Sequence, residues 1–154
     1  MPTPKYCLAL SGNDLNQSEV SCTGEQLSLL LGAINETTNN FMWFASDVSG
    51  VNIDQYWETF SSGKPQPVDS KLDVCIQLIE VEQFLSGVFF VTDADLKPLF
   101  QLEHYTEDDR FTDIEDAIIQ IRAFDTTVFE VYSSDINLIE ILKEKFGGKL
   151  LVNS

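Results

Sequence analysis

Asp73-Val-Cys-Ile-Gln-Leu-Ile-Glu-Val-Glu-Gln-Phe-Leu-Ser-Gly-Val-Phe-Phe-Val-Thr-Asp93 supports two periods at once. Val74, Ile76 and Leu78 alternate as a strand would, whereas Val74, Leu78, Val81 and Leu85 recur as one face of a helix would. Which period wins fixes how many strands the chain has and what joins them. Length and the Ser86-Gly87 stop favour a helix over Asp69–Leu85. Val88–Thr92 then opens a strand, and Leu99–Tyr105 returns as its hairpin partner across Asp93–Pro98.

Upstream, Lys5–Leu10 reads as a strand that ends in the turn-rich cluster Ser11-Gly-Asn-Asp14. The stretch Leu8–Asp14 superficially resembles the pyrophosphate loop of the N-type ATP pyrophosphatases. Asn13 stands where that loop has a second glycine and no spaced Asp-Ser follows, so no activity is carried over. Thr23-Gly-Glu-Gln26 has the form of a capping box, and Leu27, Leu30, Leu31 and Ile34 follow at helical spacing. Phe41–Ala45 is an aromatic strand, and Asn52–Phe60 a short helix. Ser61–Pro67 is a loop whose prolines exclude a phosphate-binding helix after Gly63-Lys64.

Downstream, Thr112-Asp-Ile-Glu115 forms a second capping-box pattern, predicting a helix with Ile114, Ala117, Ile118 and Ile121 on one face. Thr127–Tyr132 is a strand, and Ser133-Ser-Asp135 starts a last helix that stops at Gly147-Gly148. Lys149–Val152 closes the chain as a strand. The alternation predicts a single α+β domain over residues 1–154. Its mixed sheet has about five to six strands, includes an antiparallel hairpin and is packed by about four helices.

At 154 residues the chain is the size of one domain and long enough to bury a core without staples. Three cysteines without C-x-x-C spacing suggest free thiols in a reducing compartment. With no signal-length apolar run after the N-terminus and none of about 20 residues anywhere, a cytoplasmic location is expected. Twenty-five carboxylates against nine Lys and Arg give a net charge of −16. That field opposes nucleic acid and anionic membranes and favours basic proteins.

The densest carboxylate block surrounds the only histidine, in His104–Ile118. A catalytic His104 would need an oriented carboxylate and a nucleophile, and no nucleophile motif is present. Glu107–Thr112 lacks the central glycine of a calcium loop, and one histidine without a cysteine pair excludes a zinc motif. Neither catalytic residues, a metal nor a cofactor is therefore expected. Asp113, Glu115 and Asp116 are explained as the acidic first turn of the predicted helix. Glu103, Glu107, Asp108 and Asp109 are left as an exposed acidic knob able to meet Lys or Arg on a partner. Tyr105, Tyr56 and Trp57 are the candidate aromatic anchors, the last two expected to be partly exposed.

The expected function is accordingly that of a small acidic protein-binding domain: an immunity or inhibitor protein that neutralises a basic partner such as a toxin nuclease. An alternative is an accessory domain that binds a ligand through Phe41, Trp43, Phe44, Tyr56 and Trp57. A second alternative is an enzyme with a site around His104.

Overall fold

The computed structural model describes residues 3–37, 41–68, 74–95, 100 and 102–153; of residues 74–76 it describes the backbone alone. In chain order the elements are β1 (Tyr6–Leu10), α1 (Gly12–Asn16), α2 (Gly24–Asn35), β2 (Phe41–Val51), α3 (Gln55–Glu58) and β3 (Gln66–Pro67). There follow α4 (Val74–Ile79), β4 (Gln83–Asp93), β5 (Ile119–Phe124), β6 (Val128–Ser133), α5 (Ile136–Phe146) and β7 (Lys149–Val152).

Two of the capped helices, α2 and α5, form for the reasons their sequences suggest. The Thr23 hydroxyl accepts from Gln26 N and the Gln26 side chain accepts from Thr23 N, closing both halves of the box. Asp135 caps α5 by accepting from Asn137 N and Leu138 N. Leu27, Leu30, Leu31 and Ile34 of α2 and Leu138, Ile139 and Leu142 of α5 are buried together.

Among the described residues seven strands form one sheet in the order β3-β2-β4-β5-β6-β1-β7. Every pairing is antiparallel, so the expectation of a mixed sheet is corrected, as is the strand count. The ambiguous stretch splits between its two periods. Val74–Ile79 is helical, but Gln83–Leu85 belongs to β4, which runs through Ser86-Gly87 without stopping. The strand wins there because β2 offers a partner: Gly50↔Phe84 and Val51↔Gln83 are paired beyond a bulge in β2. Long-range pairing overrides a local stop signal.

Two further expectations fail for one reason. Residues 102–105 form no strand, because both edges of β4 are already taken by β2 and β5. Phe100 is likewise in no strand, and residues 99 and 101 of the expected hairpin arm lie outside the described residues. Residues 112–118 form no helix but irregular chain with a turn at Glu115–Asp116, and Ile119 and Ile121 enter β5. Asp116 takes a left-handed φ of 65°, which a helix would not tolerate.

The helices cover one face of the sheet. There Leu8, Leu10, Trp43, Ala45, Phe89, Val91, Ile121, Phe129 and Val131 meet α2 and α5 in the main core. The opposite face is covered by the irregular segment 102–118. A small apolar cluster of Phe44, Val88, Phe90 and Ile114 lies at one side of it. Beside that cluster the same face is polar and still buried: Gln120, Arg122 and Glu130 are each no more than 3% exposed.

Candidate interaction surface

The buried polar group explains how the acidic segment is held. Arg122 and Glu130 are cross-strand neighbours, as are Gln120 and Tyr132. The Arg122 guanidinium lies 5.0 Å from the centre of the Tyr132 ring. It donates to the backbone carbonyls of Asp108 at 2.7 Å and Asp109 at 3.2 Å. Glu130 accepts from the Tyr132 hydroxyl at 2.9 Å and pairs with Arg110 at 3.6 Å. A charge buried by the sheet thus reaches up to backbone oxygens, and Arg110 reaches down from the segment to a buried carboxylate. Burial without such partners would cost several kcal/mol per ion, roughly.

Other bonds pin the near end of the segment. The Ser46 hydroxyl donates to His104 O at 2.8 Å, and His104 N donates to Gly63 O at 2.7 Å. Gly87 N donates to the Thr106 hydroxyl, and Thr106 N donates to the Asp47 carboxylate at 2.9 Å. A Cβ at Gly63 would meet the Tyr105 ring where it now lies, so the glycine lets the ring rest against the Gly63 backbone.

These bonds sort the expected contact residues. Glu103, Tyr105, Glu107 and Asp109 are exposed. Tyr105 donates to Glu103 at 2.9 Å, and that bond, with the carboxylates around it, holds the phenol above its ordinary pKa. Asp108 is partly turned inward: its carboxylate accepts from Tyr105 N at 2.9 Å and fixes the turn. Trp57 is fully buried, which removes it from any contact surface and corrects the expectation of partial exposure. It packs edge-on against Tyr56 and Phe89, and Tyr56 is half-buried beside it. Trp43 is 8% exposed and Phe44 5%, so the aromatic group serves the core.

His104 is 5% exposed and meets the Phe90 ring edge-on, 6.4 Å between centroids. Burial lowers its pKa, with Asp108 opposing. Burial raises the thiol pKa of Cys7 and Cys22 to about 12, so neither is a thiolate at neutral pH. Cys75 lies outside the described side chains. Among the described residues, no three of His, Cys, Asp and Glu converge as metal ligands would. No described helix is long and apolar enough to cross a membrane.

The exposed carboxylates border a groove of about 340 Å³ whose walls include Asp47, Leu85, Tyr105, Glu107, Phe124 and Asp125. Leu85 is 49% exposed, Tyr105 41% and Phe124 36%, so apolar surface lies open between acids. Two of its walls come from left-handed backbone positions. Asp47 sits in a β-bulge of β2 at φ 53°. Asp125 and Thr126 both take left-handed φ, 50° and 58°, in the turn joining β5 to β6. Sequence reading missed Asp47, Leu85, Phe124 and Asp125. A bulge has no sequence period, and Leu85 is outward only if its segment is a strand.

Charge is unevenly spread. Lys5, Lys143, Lys145 and Lys149 gather at the β7 edge and on α5, whereas segment 103–116 carries seven carboxylates and Arg110 alone. No protein-family model matches the chain, and no similar curated protein or solved structure was found.

Proposed function

We propose that this protein binds a basic protein partner and acts on it as an inhibitor, in the manner of an immunity protein that neutralises a cationic toxin such as a nuclease. The observation that carries the reading is the groove between Asp47, Glu107 and Asp125, where exposed Leu85, Tyr105 and Phe124 lie among carboxylates. Apolar and aromatic surface supplies affinity once desolvated, and the acidic rim supplies steering and register. A cationic cleft built for phosphates would meet Glu103, Glu107 and Asp109 in their place.

The reading is that of a binding protein and not an enzyme, without metal or cofactor. It carries with it a cytoplasmic location, in keeping with the free, buried thiols of Cys7 and Cys22. The test is a low-salt pull-down from the source cell with wild-type bait and a Glu107→Lys/Asp125→Lys bait. Wild type should retain one basic protein, the reversed bait should lose it, and the complex should weaken steeply with salt. Equal capture by both baits, or binding indifferent to salt, would overturn the reading.

A further inference from the structure

The two edges of the sheet are finished differently. At the β2 end, β3 pairs with Phe44 and Ala45 alone and contains Pro67, which has no N–H to offer. Beside it, residues 60–62 take outward groups of β2: Asp47 N donates to Ser62 O at 2.7 Å and Val48 N to Phe60 O at 2.9 Å. At the other end β7 pairs with β1, and among the described residues no strand lies on its far side. An edge with open N–H and C=O groups is a template for a further strand unless it is blunted.

β7 is held in place to its end. Asn153 N donates to Lys5 O at 2.8 Å, and the Asn153 side-chain amide donates to Pro4 O at 3.3 Å. Bonding residues alternate along an antiparallel pair, so Lys149, Leu151 and Asn153 turn their backbone groups to β1 while Leu150 and Val152 turn theirs outward. The carbonyl just ahead of the strand, at Gly148, takes the Lys143 ammonium at 3.3 Å, which leaves Leu150–Val152 as the open stretch. Its side chains are apolar on both faces. Leu150 packs on the main core, Val152 on the same face is 62% exposed, and Leu151 lies on the opposite face beside Cys7.

A strand laid on this edge needs apolar residues opposite all three positions and outward backbone groups at the same spacing. β7 of a second copy has both. With Leu151 opposite its own counterpart on a two-fold axis, Leu150 of each copy falls opposite Val152 of the other. Both residues carry outward groups, so each such pair exchanges its N–H···O bonds in both directions and none of those groups is left open. Lys149 then falls opposite Asn153 and meets no like charge. Electrostatics select the same edge. Each copy carries a net charge of −16, yet Lys5, Lys143 and Lys149 are exposed around β7, so two copies approach there against the least repulsion. An acidic strand would suit Lys149 but would set its carboxylates against Leu150, Leu151 and Val152.

We propose that β7 pairs antiparallel with β7 of a second copy of this chain, joining the two sheets into one through Leu150–Val152. The contact is well below the roughly 800 Å² per partner that stable complexes bury, so the dimer is weak, with a dissociation constant of about 100 µM. β1 and β6 stand between this edge and the groove, which stays open in the dimer. The pairing is therefore independent of the partner that the groove would take.

The experiment is sedimentation equilibrium of the full chain from about 10 µM to about 1 mM, with amide hydrogen exchange measured at both ends of that range. Wild type should pass from monomer to dimer. The Leu150 and Val152 amides should gain about fivefold protection at the high concentration, while those of Leu151 and Asn153, already turned to β1, should change less. Salt should strengthen the dimer by screening two anionic bodies, the opposite of its effect on capture of a basic partner, so the two readings fail separately. Val152→Pro removes an outward N–H that β1 does not use, and Val152→Lys sets a charge opposite Leu150 of the second copy. Each should weaken the dimer by about tenfold or more while thermal unfolding of the dilute protein stays nearly unchanged. A wild type still monomeric at about 1 mM, a dimer indifferent to both substitutions, or a dimer that salt dissociates overturns the proposal. So does protection of Leu150 and Val152 that appears only when a pentapeptide of alternating Glu and Val is added, which would assign the edge to an acidic strand.

Discussion

The two faces of the sheet are covered in opposite ways. On one, α2 and α5 lay apolar side chains over Leu8, Leu10, Phe129 and Val131, and the contact is close to purely hydrophobic. On the other, a segment with no regular structure lies over Gln120, Arg122, Glu130 and Tyr132, held by hydrogen bonds to its own backbone. A helix satisfies its own backbone and can bury its side chains against anything apolar. An irregular segment cannot, so the sheet beneath it must supply the missing donors. The polar residues of β5 and β6 are the consequence. The face meant to carry a loop is built from hydrogen-bonding side chains, and the segment it carries is where exposed acids and the groove are found.

The sharpest way to break this comparison is to delete one fully buried side chain from the helix-covered face. Phe129→Ala should cost about 4 kcal/mol through lost burial and the cavity left behind. Because that core spans the sheet, hydrogen exchange should accelerate together in α2, α5 and the central strands. A loss confined to segment 102–118 would mean the two faces are not separate layers.

Arg122→Met tests the other face and should cost about 3 kcal/mol. It removes two bonds to the segment and leaves Glu130, 3% exposed, with less positive charge beside it. Here the amides of His104 and Thr106 should lose protection first while those of α2 keep theirs. Uniform loss across the protein would show that the segment folds as one with the core. Partner binding should fall with the segment's order, since Tyr105 and Glu107 ride on it.

The same contrast governs what could be read from the sequence. Leu27, Leu30, Leu31 and Ile34 repeat at the helical period after a capping box, and α2 forms as expected because a helix is a local object. Ile119-Gln-Ile-Arg-Ala-Phe124 alternates as cleanly, yet the earlier pattern Thr112–Glu115 reads as a helix cap and its apolar residues can be counted at either period. The choice between them is made by β4 and β6 on either side, residues far away in the chain. The acidic segment fared in between. Its exposure was legible from composition, but Asp108 as a turn-fixing residue and Arg122 as its anchor were not, because both depend on which backbone carbonyls go without a strand partner. The burial of Trp57 was likewise hidden, since a four-residue helix gives too little periodicity to assign a face.

A smaller effect, of opposite sign, is expected at the groove. Thr126 is β-branched and held at φ 58°, where an L side chain crowds its own backbone. Thr126→Gly should therefore stabilise the protein, by about 1 kcal/mol once the flexibility gained by the unfolded chain is set against the relieved crowding. Thermal unfolding would read this directly. If Thr126→Gly also weakens capture of the basic partner, the turn's rigidity belongs to the binding surface. Destabilisation instead would show that the Thr126 side chain contributes contacts worth more than the strain.

The smallest effect lies at His104, where the two kinds of covering meet. Burial against Phe90 holds the imidazole pKa below its ordinary 6.5, and the Asp108 carboxylate offsets part of that. A histidine that resists the proton when folded but accepts it when unfolded adds stability that is complete above pH 6.5. That stability drains as the pH falls below 6.5 toward the folded-state pKa. His104→Gln carries no titrating group, so wild type should lose stability relative to the variant as the pH drops from about 7 to about 5, the range in which an imidazole titrates. Taking the difference between the two proteins cancels the many carboxylates they share. A difference that stays constant over this range would mean that segment 102–118 opens to admit the proton without unfolding the core. That outcome would separate the faces more completely than Arg122→Met can, because it would show the loop-covered face yielding by itself at the pH of an ordinary histidine.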